Sequence, residues 1–193
     1  DIYFQASDPM AQIYTNLITS PNRKLNFKSF NNAPKAVVST KGGLTCYEWN
    51  VNDVKASKYE DYQPSWYNNY PYVQVSEFNN WNEVVNWALA LNKSAEGSSV
   101  ELENKINELK KESKNQLDYF KKCVRFVQDQ IRYMGVEMGV YSHKPNTPGA
   151  IFKQRYGDCK DKSLLLCTLL KANNIDAHMV YVNTNSKEKT KDF

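Results

Sequence analysis

The chain has 193 residues, of which 24% are charged and 13% are aromatic, and its formal net charge at pH 7 is +4. This length suits one or two domains that bury a sizeable core, and the composition excludes a disordered or collagen-like chain. Acidic and basic residues are interleaved, and lysines near the end (Lys187, Lys189 and Lys191) supply much of the excess charge. A solvated tail explains that excess, so we expect no nucleic-acid partner. No apolar run reaches the length of a transmembrane helix.

Residues 1–78 have the pattern of a β-rich domain. Short apolar and aromatic runs alternate with breaks that contain Pro, Asn or Gly, as strands and turns do. In the run from Leu44 to Val51, every second residue from Thr45 onward falls on one face, which is typical of a half-buried strand. Residues 72–75 are predicted as a further strand.

The connection before that last strand, from Asp53 to Pro71, is rich in Tyr, Asn and Pro. The aromatic residues in and beside it are Tyr59, Tyr62, Trp66, Tyr67, Tyr70 and Tyr72. Two interpretations are open. The side chains form a face that binds carbohydrate or peptide, or they hold a loop against the sheet by burying their rings.

Helices follow the β-rich part. Residues 79–112 are predicted to form two connecting helices, the first starting at Trp81 and the second after Ser98. A third helix opens a second domain over residues 113–193, and its apolar residues recur three and four apart from 117 to 134. It is predicted to end there because the next residue is a glycine, which suits the position after a helix.

The second domain continues with a loop over residues 141–148 and a short helix that starts at Ala150. A buried helix is predicted from Cys159 to Lys171, because residues 164–170 are apolar almost all round. A strand is predicted over residues 175–182.

The string Tyr-Gly-Asp-Cys-Lys-Asp-Lys-Ser, residues 156–163, stands at the start of the buried helix. Gly157 permits a tight turn, Asp158 is a suitable N-cap, and Asp161 adds negative charge to the first turn. Unpaired N–H groups and the positive end of the helix dipole favour a thiolate at Cys159 and can hold an oxyanion. The pattern indicates half of a Cys-His site, with a buried structural cysteine as the other interpretation.

The other cysteines are Cys46, Cys123 and Cys167. No pair has the Cys-x-x-Cys spacing, so we expect neither a zinc site nor any other metal or cofactor. Cys159 and Cys167 are eight residues apart on one predicted helix, about 12 Å along its axis, which is too far for a disulfide. A bond between Cys46 and Cys123 stays open.

These residues resemble a bacterial transglutaminase-like core, which has a papain-like cysteine fold. The similarity runs from Val127–Tyr133 through a loop to the Gly-Asp-Cys-Lys-Asp-Lys-Ser string, the leucine-rich helix and Asn174–Ala177. Upstream, Tyr47–Trp49 and the Pro-Ser-Trp-Tyr string at 64–67 are similar to the end of a β-rich domain of unknown function that often precedes such cores.

The resemblance implies an α+β protein in which a β-rich N-terminal portion precedes the helical half of a papain-like core. It implies a Cys-His-Asp triad with Cys159 as nucleophile. In this family the cysteine forms a thioester with a carboxamide or peptide carbonyl, and an amine or water resolves it. The family's His and Asp stand on later strands than this sequence reaches. We therefore expect a fragment that is inactive, or nearly so, by itself.

Other side chains have weaker claims to the site. His143 and Tyr141 lie in the loop before the buried helix, where His143 could line the cleft and Tyr141 could donate a hydrogen bond to the oxyanion. Gln154 could donate similarly, although solvation on a helix surface explains it equally. His178 lies within the predicted strand and is interpreted as a wall or core residue. Lys160 could favour the thiolate by proximity or simply be exposed.

The sequence thus predicts thiol-dependent acyl transfer or amide hydrolysis on a protein or peptide. The alternative is a non-catalytic binding or assembly module that kept the fold, with a glycan or a peptide as its ligand. The resemblance also suggests an exported bacterial protein, periplasmic or at the cell surface.

Overall fold

The computed structural model describes residues 1–58, 60–64, 66–93, 95, 97–135 and 137–192. Tyr59, one of the aromatic residues considered above, lies outside the described residues. The chain forms two compact units, which we call the β unit (residues 1–81 with 182–193) and the helical unit (residues 82–181). Each is described by itself.

The described part of the β unit contains two three-stranded antiparallel sheets. Its strands are β1 (Ile2–Tyr3), β2 (Met10–Thr19), β3 (Asn26–Phe30), β4 (Val37–Lys41), β5 (Leu44–Val54) and β6 (Tyr72–Ser76). The strand order is β1-β6-β3 in one sheet and β2-β5-β4 in the other. A short 3-10 helix, Lys187–Asp192, also belongs to this unit.

Local sequence explains the tight hairpin between β4 and β5. Gly42 and Gly43 have φ angles of +57° and +77°, the left-handed conformation that a two-residue hairpin turn requires and that glycine adopts without strain. The turn fixes the register, so that Trp49 of β5 is buried in one cluster with Phe4 and with Val73 of β6. The Trp49 indole N–H donates to the Pro34 carbonyl at 3.1 Å, which satisfies its polar end.

In its described residues, the helical unit contains five α-helices and a small parallel ladder. Its elements are α1 (Trp81–Lys93), α2 (Val100–Glu112), α3 (Gln116–Gln130), β7 (Arg132–Tyr133), a 3-10 helix (Gly139–Ser142), α4 (Pro148–Gln154), β8 (Tyr156–Gly157) and α5 (Cys159–Lys171). In the ladder, Arg132 pairs with Tyr156 and Tyr133 pairs with Gly157. None of the helices that the structure describes is long and apolar enough to cross a membrane.

The core of the helical unit is built by one apolar face from each of α2, α3, α4 and α5. Tyr119, Ile151, Leu165 and Leu169 are completely buried there. The Tyr119 hydroxyl donates to the Leu169 carbonyl at 2.7 Å and so ties α3 to α5. Leu102 of α2 is also completely buried in this core, although the predicted connecting segment was 79–112. The predicted domain limits stay a prediction, whereas the predicted α+β class is confirmed.

Two predicted elements differ in the structure. The third helix ends at Gln130 rather than near residue 134, because the backbone N–H groups of Arg132 and Met134 donate to the carbonyls of Arg155 and Gly157. The predicted strand over 175–182 is wrong for the described residues: the segment has no ladder partner there, although half-buried and exposed residues alternate along it. Hydrophobic alternation was real, but a strand also needs a neighbour to receive its hydrogen bonds.

Candidate active site

Cys159 is the first residue of α5, and its side chain is exposed. The N-cap, Asp158, accepts hydrogen bonds from the backbone N–H groups of Lys160 (3.1 Å) and Asp161 (3.3 Å). Asp161 in turn accepts from the Asp158 N–H at 3.3 Å, which completes a capping box. The capping box therefore occupies the donors that follow the cysteine, while the Cys159 N–H has no acceptor among the described residues.

Ionised side chains are buried beneath this exposed thiol. Asp158 is 2% exposed and Lys160 is 8% exposed, and the two form an ion pair. Lys160 is thus neither an exposed residue nor a free cation for the thiolate, since its ammonium group contacts a carboxylate. Removing one partner would leave a buried charge without compensation, which is strongly destabilising. The pair holds the N-cap carboxylate in place and so supports the first turn.

Asp161 connects this first turn to the preceding loop. Its carboxylate accepts the Asn146 backbone N–H at 2.7 Å and also contacts the Asn146 side-chain amide. Gly157 lies against it: a Cβ at residue 157 would stand 2.6 Å from the Asp161 Cβ, closer than real side chains approach. The close approach of Asp161 thus explains why residue 157 is a glycine. Backbone conformation does not require one, because the φ angle of Gly157 is not in the left-handed region.

Tyr133 is a neighbour of the thiol that the sequence analysis missed. Its pairing with Gly157 places it beside the residues that lead into Cys159. The pKa of the exposed Tyr133 phenol is raised, chiefly by the negative charge of the Cys159 thiolate and then by burial and Asp158. The influence of Cys159 on Tyr133 is one of charge, and no hydrogen bond joins the two side chains among the described residues. The periodicity assigned Tyr133 to a helix, but it stands at the end of the stretch that carries the family resemblance.

The two histidines make other contacts. The His143 ring packs edge-on against Trp87, with ring centroids 5.2 Å apart, and its backbone carbonyl accepts from the Tyr181 hydroxyl at 3.4 Å. His178 pairs with Asp176 at 2.8 Å, and its side chain is 72% exposed. His178 is therefore not a core residue. No hydrogen bond joins either histidine to Cys159 in the part of the chain that the structure describes.

Tyr141 and Gln154 are the remaining candidates. Tyr141 lies in the 3-10 helix of the loop and is 46% exposed. The Gln154 amide donates to the Tyr156 carbonyl at 2.8 Å, two residues along the chain. That bond links the end of α4 to β8. The role of Tyr141 at an oxyanion stays a prediction, as do the catalytic roles of Cys159, Asp158 and His143.

All four cysteines are free thiols, so Cys46 and Cys123 are not joined. Cys46 and Cys123 are buried and Cys167 is half-buried, which leaves Cys159 as the exposed thiol. Burial raises the pKa of the Cys123 and Cys167 thiols. The described residues contain no group of three or more His, Cys, Asp and Glu side chains placed to hold a metal.

Known families match both parts of the chain. Residues 2–58 match DUF3857, a domain of unknown function with a solved structure, and residues 103–192 match the transglutaminase-like superfamily. The resemblance stated from the sequence is thereby confirmed. The first match falls on the β unit, and the second includes α5 with Cys159 at its start.

A solved structure supports the same fold. It is the 2.00 Å crystal structure of a protein from Parabacteroides distasonis ATCC 8503 that was provisionally described as a protease, and the TM-score is 0.72. The two chains are 16% identical, and the match covers 91% of this chain and 34% of that one. This chain therefore spans about a third of the length of that protein. A comparison with curated proteins gave no match.

Proposed function

We propose that this chain is part of a cysteine enzyme in which Cys159 attacks a carboxamide or peptide carbonyl. One observation carries the proposal: the exposed thiol stands at the first residue of α5, and its own N–H has no acceptor among the described residues. A donor in that position can stabilise the oxyanion that forms when sulfur attacks the carbonyl carbon. The match to the transglutaminase-like superfamily supports the same chemistry.

The reaction proceeds through two displacements at one carbonyl carbon. The Cys159 thiolate adds to the carbonyl, and the tetrahedral oxyanion then collapses with cleavage of the C–N bond. The amine leaves with a proton, and a thioester remains on the sulfur. A second amine completes a transfer, and water completes a hydrolysis. The family resemblance assigns the proton transfers to a His and an Asp on later strands, rather than to His143 or His178.

Two neighbours support the thiolate in this proposal. The capping box and the buried Asp158–Lys160 pair fix the position of the first turn, so that the Cys159 N–H keeps its direction. In the proposed reaction the Tyr133 phenol, whose pKa already responds to the charge of Cys159, serves as a second hydrogen-bond donor to the sulfur. Hydrolysis of a peptide is the outcome that the provisional description of the Parabacteroides distasonis protein favours.

The reactivity of each thiol tests the proposal. We would measure the rate of iodoacetamide labelling at each cysteine between pH 6 and pH 10, map it by mass spectrometry, and use both this chain and the full-length protein. Cys159 should label faster than Cys167 at every pH, because the buried thiols have raised pKa values and restricted access. If Cys159 is labelled no faster than Cys167 in either protein, the assignment of Cys159 as the nucleophile is refuted. The alternative of a non-catalytic binding module would then remain.

Two variants separate the thiol from its neighbour. Cys159→Ala in the full-length protein should abolish amidase and transamidase activity, whereas Cys167→Ala, the matched control on the same helix, should keep it. Tyr133→Phe should slow the labelling of Cys159 about threefold, since the variant removes one hydrogen-bond donor and keeps the ring. Unchanged labelling in Tyr133→Phe would exclude Tyr133 as a donor to the thiolate without affecting the assignment of Cys159.

A further inference from the structure

The β unit contains a cavity of about 670 Å³ that the proposed chemistry does not use. Its volume falls in the range of small-molecule sites. Aromatic rings from three segments line it: Tyr3 of β1, Trp66, Tyr67 and Tyr70 of the connection before β6, and Tyr72 of β6. Asn183, Asn185 and Ser186, which belong to the same unit, also line it.

The rings divide into an anchored set and an accessible set. Tyr72 is buried and stacks on both Tyr3 and Phe30, with ring centroids 5.4 Å and 4.5 Å apart. Trp66 and Tyr67, by contrast, are 39% and 49% exposed, and their rings meet edge to face. The connection itself meets the sheet through Tyr70, whose ring lies edge-on to the Tyr3 ring at 6.3 Å, while Trp66 and Tyr67 stay accessible. The anchored rings position the accessible ones.

Hydrogen bonds fix the loop that carries these rings. The Asn31 side-chain amide donates to the carbonyls of Asn68 (2.7 Å) and Tyr70 (2.9 Å). The Asn68 side chain accepts the Tyr70 N–H at 3.1 Å and faces the Tyr3 hydroxyl at 3.5 Å. A site whose backbone is tied in this way loses little conformational entropy when a ligand binds.

The polar lining is almost entirely neutral. It consists of side-chain amides and hydroxyls, among them Gln5, Asn68, Asn183 and Ser186, which can donate as well as accept hydrogen bonds. Among the described lining residues, Asp1 carries the one charged side chain, and Ala6 is the one aliphatic residue. A lining without larger aliphatic groups offers little to an apolar peptide side chain, whereas its amides and hydroxyls suit a ligand that carries neutral hydroxyl groups.

We propose that this cavity binds a neutral oligosaccharide. Pyranose rings present apolar C–H faces that stack on aromatic side chains, and their hydroxyls pair with amides and phenols. The Trp66 ring already attracts a positive partner, since the Lys189 ammonium lies 5.3 Å from its centroid. A sugar that stacks on this ring face displaces the Lys189 ammonium and meets the negative face with its polarised C–H groups. This binding site lies in the β unit and does not depend on the proposed role of Cys159.

Isothermal titration of the full chain with cellohexaose, maltohexaose and chitohexaose tests the proposal, with a neutral Gly-Ser hexapeptide as the competing ligand class. At least one hexasaccharide should give a saturable isotherm at concentrations up to about 10 mM. Trp66→Ala and Tyr67→Ala should weaken that binding about tenfold each, because each variant removes one stacking surface. Trp66→Phe should retain part of the affinity.

Tyr62→Ala is the matched control, because Tyr62 lies in the same connection, is fully exposed and does not line the cavity. The affinity of Tyr62→Ala for the hexasaccharide should equal that of the unmodified chain. Circular dichroism of every variant shows whether the fold is kept, and Trp66→Phe maintains the test if an alanine variant unfolds. The proposal is overturned by the absence of binding to all three sugars, by binding of the hexapeptide alone, or by sugar binding that Trp66→Ala and Tyr67→Ala leave unchanged.

Discussion

The two ends of helix α5 are buried by different interactions. At its start, Asp158, Lys160 and Asp161 are charged side chains that are at least 92% buried and hydrogen-bonded or ion-paired to one another. In its second half, Leu165 and Leu169 are completely buried by apolar packing. Each half of the helix carries a cysteine, but only the polar start leaves its thiol exposed.

This difference explains how one helix can hold both an exposed thiol and a half-buried one. Apolar packing in the second half covers part of Cys167. This burial raises the pKa of the Cys167 thiol. Hydrogen bonding instead satisfies the polar groups beneath the first turn while the first residue stays at the surface. The polar start of α5 should therefore be sensitive to single-atom changes. The apolar core, which also contains Tyr119 and Cys123 of α3, should respond to pH through its phenol and thiols.

Gly157→Ala should produce the largest effect. The added Cβ would stand 2.6 Å from the Asp161 Cβ and 2.9 Å from its Oδ2, so the capping box has to shift. We expect the free energy of unfolding of the helical unit to fall by about 3 kcal/mol. Urea denaturation followed by circular dichroism at 222 nm measures it, because the α-helices lie in this unit.

Gly135→Ala is the control for that variant, since nothing stands within 4 Å of a Cβ there. It should change stability by no more than about 0.5 kcal/mol. If the two substitutions have equal effects, the contact with Asp161 is not the reason that residue 157 is a glycine.

Asp161→Asn should be the next most costly change. The carboxylate accepts backbone N–H groups from Asp158 and Asn146, and an amide offers one acceptor oxygen where the carboxylate offers two. Hydrogen bonds to charged groups justify an expected loss of about 2 kcal/mol in the same denaturation experiment. Asp176→Asn, at a side chain that is 87% exposed, should cost less than about 0.5 kcal/mol. A smaller loss in Asp161→Asn than in Asp176→Asn would contradict the polar network.

The capping interactions of the first turn of α5 could be predicted from the sequence, whereas the residues that lie beside this turn could not. Capping depends on residues within one turn, so the aspartate before Cys159 and the one three residues later were identifiable by spacing. Tyr133 reaches the site through a two-residue ladder with β8, which joins segments more than twenty residues apart. Its helical periodicity continued past the real end of α3, because periodicity contains no information about such pairing.

The residues that follow α5 also show that periodicity does not predict strand pairing. Alternating apolar residues over 175–182 predicted a strand, and half-buried and exposed side chains do alternate there. The strand was absent because the described residues place no partner strand beside it. In the β unit, by contrast, the Gly42–Gly43 turn brings two strands together within a few residues, and the predicted strand after it is present as β5.

High pH should weaken the apolar core in which α3 packs against α5. Burial raises the pKa of Tyr119 and of the Cys123 and Cys167 thiols, so their neutral forms are favoured in the folded state. That stability is fully present below the unfolded thiol pKa of about 8.5 and is lost as pH rises through the higher folded values. Unfolding free energies at pH 8 and pH 10.5 should differ by about 1 kcal/mol. Cys123→Ala should lose less over the same interval, and a stability that rises with pH would contradict the assignment.

His178→Ala should have the smallest effect. His178 pairs with Asp176 at the surface, where both side chains are more than 70% exposed, and exposed ion pairs contribute little to stability. We expect the free energy of unfolding to change by less than about 0.5 kcal/mol. The iodoacetamide labelling rate of Cys159 should stay the same, because no contact links the two side chains in the described part of the chain. A several-fold slower labelling in His178→Ala, with His143→Ala unchanged as its control, would instead identify His178 as a group that acts on the thiol.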